Sequence, residues 1–116
     1  MEQADCLFCR IVAQKNPAGV VLETPTTLAL RDINPQAPVH VLVIPKEHIG
    51  SISALEPRHA ELVSQIHETI KAVARSEKVE SNGYRVVVNN GRDADQTVRH
   101  LHYHVLGGRR MSWPPG

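Results

Sequence analysis

Residues 98–106 read Val-Arg-His-Leu-His-Tyr-His-Val-Leu, and this stretch decides how the fold is interpreted. Histidine recurs at every second position, with Leu101, Tyr103 and Val105 in alternation with it. Because successive side chains of a β-strand point to opposite faces, the alternation predicts a last strand over 98–106, ended by Gly107-Gly108. We expect its apolar side chains to pack into the core and all three histidines to share the opposite face.

The preceding sequence predicts four more strands and two helices. Apolar residues at steps of three and four predict a long helix over 57–76 and a short one over 5–15, with Asp5 as its N-cap. Runs of β-branched residues predict strands over 20–23, 27–32, 39–45 and 84–89. Strands that follow one another with few helices between them indicate an α+β domain with a mostly antiparallel five-stranded sheet. The 116 residues suffice for this single domain, 1–116.

Composition excludes several classes of function. Thirteen basic and twelve acidic residues give a net charge of +1, whereas nucleic-acid and anionic-membrane binders usually carry a basic face. Aromatic residues are only 3% of the chain, which disfavours a stacking platform for single strands. Neither a signal peptide nor an apolar run of membrane-spanning length is visible. We therefore expect a cytoplasmic protein with no nucleic-acid or membrane partner.

Three imidazoles on one strand face have three interpretations. In the first, they form the solvated side of a half-buried strand. In the second, they bind a metal ion. In the third, one of them is a nucleophile or general base that its neighbours orient. The loop before the strand favours phosphate chemistry, since it offers amide, hydroxyl and backbone donors at Asn89, Asn90, Gly91, Gln96 and Thr97. Two more histidines, His59 and His67, lie off the apolar stripe of the long helix and are expected to be exposed.

A Cys-x-x-Cys pair, Cys6-Leu7-Phe8-Cys9, opens the chain. Its thiols are either small buried apolar groups, a redox pair or metal ligands. The redox interpretation is weak because no strand precedes Cys6. Two thiolates and two imidazoles would complete a tetrahedral zinc site, and His48 and His100 are the candidate imidazoles.

Residues 96–109 strongly resemble the signature of the histidine triad family, His-x-His-x-His followed by apolar residues. Residues 32–40 followed by 43–46, and residues 83–85 with 88–89, look like two further blocks of that family. The closing Trp-Pro-Pro-Gly, residues 113–116, resembles the end of its Hint branch. The match runs from about Cys6 to Gly116.

The resemblance implies a homodimeric HIT-like fold and a hydrolase that cleaves the P–N bond of purine nucleoside 5′-phosphoramidates. By matching positions, His102 is the nucleophile that forms a nucleotidyl-histidine intermediate, and His104 contacts the phosphate. His100 supports the orientation of His102, and His40 completes the group. Catalysis needs no cofactor, and some bacterial relatives hold zinc in a set that corresponds to Cys6, Cys9, His48 and His100.

The resemblance also implies a nucleotide site. Asn89, Gln96 and Thr97 would hold phosphate oxygens, and Asp32 would accept hydrogen bonds from the ribose. Trp113 would reach the leaving-group side, from the tail of the partner subunit. An apolar slot for an adenine or guanine base would be lined by Leu7, Phe8, Ile11, Leu30 and Ile33.

Two positions depart from the family pattern, and three other functions stay open. Arg99 stands where relatives carry an apolar residue or tyrosine, and Asp95 replaces a glycine of the phosphate loop. The alternatives are a dinucleoside polyphosphate hydrolase or phosphorylase of another branch, a non-catalytic dimer that senses nucleotides or binds partners, and a structural zinc-binding module.

Overall fold

The computed structural model of the protein describes residues 5–14 and 19–116, and for Gln14 only the backbone. Two α-helices and five strands follow one another in this part of the chain, together with short 3-10 turns. Their bounds are α1 Leu7–Gln14, β1 Val20–Glu23, β2 Thr27–Arg31, β3 Val39–Pro45, α2 Ala60–Ser76, β4 Tyr84–Val88 and β5 Tyr103–Gly107. The strands form one antiparallel sheet in the order β1-β2-β3-β5-β4. The predicted α+β class and five-stranded sheet are confirmed.

Alternate residues of the central strands divide the core between the two faces of the sheet. Val41 and Val43 pack with Ile66, Ile70 and other residues of α2. Their neighbours Leu42 and Ile44 pack instead with Phe8 and the cysteines of α1. The long helix therefore covers one face and the short helix covers part of the other. No helix in the described ranges is long and apolar enough to cross a membrane.

The last strand is shorter than the sequence predicts. It begins at Tyr103, so residues 98–102 lie outside it, and the prediction of a strand from Val98 is wrong. The reason is that these residues bond to loops: Leu101 N–H donates to the carbonyl of Ile49 over 2.6 Å, and the side chain of His102 bonds to the backbone of His100. The apolar alternation survives, since Leu101, Tyr103 and Val105 are buried.

The short helix is capped by a different residue from the one predicted. Cys6 Sγ accepts the backbone N–H of Cys9, over 3.4 Å, at the start of α1. This thiol, not the Asp5 carboxylate, occupies the capping position, because the helix begins at Leu7 and places Cys6 directly before it. Strands β2 and β4 each end one residue earlier than predicted.

The prediction that His59 is exposed is wrong, because the residue is only 3% exposed. Its Nδ1 accepts the backbone N–H of Glu56, and its Nε2 lies 3.2 Å from Oε2 of Glu47. His59 therefore belongs to a capping box ahead of α2, in which its ring turns back to the backbone of Glu56 instead of pointing into solvent. His67 is exposed, as predicted, and its ring rests at the edge of Tyr103.

Candidate active site

Three histidines meet on the face of the sheet that α1 partly covers. His40 lies on β3 and His104 on β5, opposite Leu42. Their rings are 5.2 Å apart, and the ring of His102, just before β5, is 5.1 Å from that of His104. The antiparallel pairing of β3 with β5 therefore joins His40 to a pair of histidines more than sixty residues away.

Backbone contacts determine which nitrogen of each ring carries the proton. The N–H of Gln36 donates to Nδ1 of His40 over 3.0 Å, so a neutral His40 carries its proton on Nε2. That Nε2 lies 2.9 Å from Nδ1 of His104, which accepts. The proton of His104 is then on Nε2, a buried atom with no hydrogen-bond partner among the described residues. A buried donor left in this way is costly unless a ligand supplies the acceptor.

The site favours neutral imidazoles. Burial lowers the pKa of His40, and the carboxylate of Asp32 opposes this shift only in part. Burial, with the neighbouring His102 and His40, lowers the pKa of His104 to about 4. Near pH 7 the Nε2–H of His104 is therefore a neutral donor, suited to an oxygen that gains negative charge.

His102 presents a free ring nitrogen. Its Nδ1–H donates to the backbone carbonyl of His100 over 2.7 Å, so the lone pair is on Nε2. The ring packs edge-on against Phe8, with centroids 5.3 Å apart. A ring that is held in one tautomer and one orientation, with an unprotonated nitrogen, meets the requirement for a nucleophile or general base.

His100 belongs to a second cluster, with Cys6, Cys9 and His48, whose potential ligand atoms all lie within 4.8 Å of one another. Nδ1 of His100 is 3.3 Å from Sγ of Cys6, and Nδ1 of His48 is 3.2 Å from Sγ of Cys9. The Nε2–H of His100 donates to the carbonyl of Pro45 over 2.8 Å, which leaves Nδ1 unprotonated and directed at the thiols. Two thiols and two imidazoles in this arrangement fit a closed tetrahedral zinc site.

Asp32, His40 and His104 also approach one another closely, but they do not fit a metal ion. A metal on Nε2 of His40 would move the proton of that ring to Nδ1, where the N–H of Gln36 already points. The histidine row is thus divided between two clusters, and a metal site built from the row itself is not formed. Only His104 lies on β5, but His100 and His102 both pack against Phe8 on the α1 side, while Leu101 belongs to the core on the α2 side, so the predicted alternation of faces extends to His100.

The residues expected to hold phosphate differ in what they can still donate. The side-chain amide of Gln96 donates to the carbonyls of Gly50 and Val98, and its oxygen accepts the N–H of Gly91. Gln96 therefore fixes the loop, and its side chain has no donor to spare. Asn89 is half-buried and Thr97 is exposed, and neither side chain has a hydrogen bond within the described ranges.

Three of the five residues expected to line the base slot lie in one cluster, and the other two lie at the surface. Phe8, Ile11 and Leu30 belong to one apolar cluster beside α1. Leu7 is 46% exposed and Ile33 is fully exposed, so both lie at the surface.

Contacts also position Trp113 in the tail and Asp32, the residue expected to bind the ribose. Trp113 is 80% exposed and lies 5.8 Å from the guanidinium of Arg85, which also donates to the carbonyl of Ser112. Asp32 accepts the N–H of Asn34 with Oδ1, and its Oδ2 is 3.4 Å from Nε2 of His40.

Backbone groups are the part of the site that residue types do not reveal. The N–H of Gln36 and the carbonyls of Pro45 and His100 determine the tautomers of three histidines. Every residue carries such groups, so no signal in the side-chain pattern points to them. The one signal in the sequence is the spacing of His100 and His102, because a ring two residues further along the chain can reach the carbonyl of His100.

Comparisons with known proteins agree with the site. Residues 5–113 match the family model described as scavenger mRNA decapping enzyme C-terminal binding. The chain is 44% identical to a 14 kDa zinc-binding protein of Zea mays, over 100% of this chain and 91% of that protein. It is 43% identical to adenylylsulfatase HINT1 of Arabidopsis thaliana, over 95% and 76% of the two chains.

A solved structure of a HIT family hydrolase from Legionella pneumophila has a similar fold. Its TM-score is 0.93 at 46% identity, and the alignment covers 97% of this chain and 100% of that one. The fold, the spaced histidines and these relatives agree, and the chain belongs to the histidine triad family, of the Hint type.

Proposed function

We propose that the protein is a nucleotide-binding hydrolase that cleaves the P–N bond of purine nucleoside 5′-phosphoramidates through a covalent intermediate on His102. The observation that carries the proposal is the pairing of a free nitrogen with an unpartnered donor. Nε2 of His102 has the lone pair, and Nε2–H of the adjacent His104 is buried without an acceptor from any residue that the structure describes. In a phosphoryl group bound between the two rings, the phosphorus would accept the lone pair of His102, and a phosphoryl oxygen would accept the hydrogen bond of His104.

The reaction proceeds in two displacements. Nε2 of His102 forms a bond to phosphorus, the P–N bond of the substrate breaks, and the amine departs with a proton taken from one water molecule. The hydroxide left from that water attacks the same phosphorus, the bond to His102 breaks, and AMP or GMP is released with His102 neutral again. The charge on the phosphorylated ring is stabilised by the carbonyl of His100 at Nδ1, and the Nε2–H of His104 donates to a phosphoryl oxygen in both steps.

Several residues support binding of a purine nucleotide. Phe8, Ile11 and Leu30 supply an apolar surface beside His102, and Leu7 and Ile33 would form its outer rim. Asp32 retains acceptor capacity for ribose hydroxyls, while Asn89 and Thr97 offer donors for phosphate oxygens. Gln96 acts by fixing the loop that carries Thr97.

We propose that the chain works as a homodimer. Strand β4 is an edge of the sheet, and its Val86 is 40% exposed, which is typical of an edge that a second strand covers. Trp113 lies beside this strand, on Arg85, where the tail could pass to the site of a partner subunit.

A structural zinc ion is proposed at Cys6, Cys9, His48 and His100. When bound, it would contribute a closed tetrahedral junction between α1 and the loops around His48 and His100. The zinc-binding name of the maize relative agrees with this assignment. The chemistry on phosphorus needs no step at this cluster, since His102 supplies the nitrogen that bonds phosphorus and His104 the donor to the phosphoryl oxygen.

The test is release of AMP from adenosine 5′-phosphoramidate by the wild type, His102→Ala and His67→Ala. His67 is an exposed histidine on α2 and gives a matched control. We expect turnover by the wild type and His67→Ala, and a loss of at least about a thousandfold in His102→Ala with AMP still bound. Binding of AMP without turnover by any of them would contradict the proposal and favour a nucleotide sensor.

One further substrate belongs in the same assay. The Arabidopsis relative is named an adenylylsulfatase, and adenylyl sulfate presents the same phosphorus with a sulfate leaving group. Faster release of AMP from adenylyl sulfate than from the phosphoramidate would identify the anhydride as the preferred class while retaining the role of His102.

A further inference from the structure

A concave surface between the end of α2 and the end of β5 is lined by three basic side chains. The cleft, about 400 Å³ in volume, is formed by Lys78, Asn82, Gly83, Gly108, Arg109 and Arg110. None of the described residues that line it is acidic. We refer to this surface as the basic cleft.

The three cations of the basic cleft differ from most others in the chain. Six basic side chains of the described residues pair with a carboxylate within 3.3 Å, namely those of Arg31, Lys46, Arg58, Lys71, Arg75 and Arg92. Within the same ranges no carboxylate pairs with Lys78, Arg109 or Arg110. The acidic neighbours in sequence are engaged elsewhere, since Glu77 pairs with Arg31 and Glu80 with Arg75.

The guanidinium of Arg109 is held in place without being neutralised. Its Nε and Nη2 donate to the carbonyl of Gln36, and its Nη1 donates to the carbonyl of Arg110. Carbonyl acceptors orient the group and leave its full positive charge. A fixed cation loses little side-chain entropy when an anion binds, which makes it a stronger partner than a mobile one.

The clustering is local and not a consequence of overall charge. The whole chain has a net charge of only +1, so three unpaired cations around one concavity stand out from the rest of the surface. A cavity of this size is in the range that accommodates a small molecule. Asn82 adds a neutral amide at the same rim.

We infer that the basic cleft is a second ligand site, separate from the histidine site, that binds a small molecule bearing two or more phosphate charges. Lys78 and Arg110 supply exposed cations, and Arg109 supplies one that carbonyl acceptors orient. A multiply charged phosphoanion matches this set better than a single carboxylate, because each of its oxygens accepts from a different cation.

The probe is inorganic pyrophosphate, added to the ¹⁵N-labelled protein at low ionic strength and followed by amide chemical shifts. Gly83 and Gly108 report on the basic cleft, while Gly91 and Thr97 report on the loop before the histidines. We expect saturating shifts at Gly83 and Gly108. Shifts confined to Gly91 and Thr97 would mean that pyrophosphate binds only at the histidine site, and would overturn the inference.

Charge-neutralising variants separate a built site from diffuse attraction. Lys78 has φ 63°, so asparagine, which tolerates this conformation, is the suitable replacement. We expect Arg110→Gln alone to weaken pyrophosphate about threefold, and Lys78→Asn with Arg110→Gln about tenfold.

Arg58→Gln with Lys71→Gln is the matched control, because it removes the same charge from exposed, ion-paired residues and leaves the pairs of Glu77 and Glu80 intact. We expect this control to bind pyrophosphate within twofold of the wild type. An equal loss in the control and in the cleft variants, or the absence of saturation in the wild type, would overturn the inference. The single variant Arg110→Gln keeps the comparison valid if the double variant folds poorly.

Discussion

Asp95, in the loop before the histidines, has φ 61° and so adopts the left-handed conformation that favours glycine. Its side chain is exposed, and the nearby Arg92 pairs with Asp93 instead. This residue therefore adds an uncompensated negative charge to the loop where we place the phosphate.

Replacing Asp95 by glycine should raise the catalytic efficiency of the proposed reaction. Asp95→Gly removes the charge and suits the backbone, so we expect kcat/KM for adenosine 5′-phosphoramidate to rise about two- to fivefold, as expected for one partly screened charge. Steady-state kinetics test this, with Asp93→Asn as the control from the same loop. An equal rise in the control, or none in Asp95→Gly, would show that the charge of Asp95 does not reach the phosphate.

At the level of residues, the sequence predicts which side chains form the site, but it does not predict which hydrogen bonds they make or where their protons lie. The predicted group is His40, His100, His102 and His104. The rings of His40, His102 and His104 are brought together, whereas the ring of His100 joins the cysteines and only its carbonyl contacts His102. The role of Gln96 was not foreseen, because its amide could equally have bonded a ligand or the loop. Which of these it does depends on the carbonyls of Gly50 and Val98, and these have no signature in the sequence.

The contact between β5 and the turn after α2 depends on a glycine. A Cβ at Gly107 would lie 2.8 Å from Cγ1 and 2.9 Å from Cβ of Val79, a buried and β-branched side chain. Because Val79 cannot swing away, we expect Gly107→Ala to lower the free energy of unfolding by about 1–3 kcal/mol. Urea titration measures this, and Gly50→Ala, which has no atom within 4 Å of its new methyl group, should stay within about 0.5 kcal/mol.

The short helix α1 links the metal cluster to the histidine site. Cys6 and Cys9 belong to the cluster, and Phe8, on the same helix, packs against both His100 and His102. We expect removal of zinc by a chelator to speed amide hydrogen exchange in Leu7–Gln14 at least about tenfold while exchange in α2 changes little.

The zinc content of the wild type and of a cysteine variant tests whether the cluster binds zinc. The purified wild type should contain about one zinc per chain, and the variant Cys6→Ser, Cys9→Ser almost none. Retention of zinc by this variant, or no change in exchange on chelation, would contradict the assignment of the cluster.

At the level of elements, periodicity predicted all five strands and both helices, and it failed only at their ends. The alternation of 98–106 is real, but Leu101 pairs with Ile49 in a loop instead of with a strand. Long-range backbone partners of this kind decide where a strand begins, and a local pattern does not contain them.

The folded molecule should lose stability in mild acid. Burial lowers the pKa of His40 below 6.5 and that of His104 to about 4, so below pH 6.5 the unfolded chain binds more protons than the folded one. The free energy of unfolding therefore falls as the pH falls from about 6.5 toward 4, and it is highest above 6.5.

Urea titrations of the metal-free protein between pH 7.5 and 5 test this dependence. His104→Asn should show a shallower fall with pH than the wild type, whereas the exposed replacement His67→Asn should follow the wild type. A wild-type stability that is constant over this range would mean that the histidines accept protons in the folded state as readily as in the unfolded chain.

For the whole molecule, the central claim is that His102 carries the nucleotide during turnover. The most direct measurement is intact mass spectrometry of the protein quenched in alkaline denaturant within milliseconds of mixing with adenosine 5′-phosphoramidate. We expect an adduct of one adenylyl group, located on the peptide that contains His102 and absent from His102→Ala. Undiminished turnover by His102→Ala, or turnover by the wild type with the adduct on another residue, would contradict it.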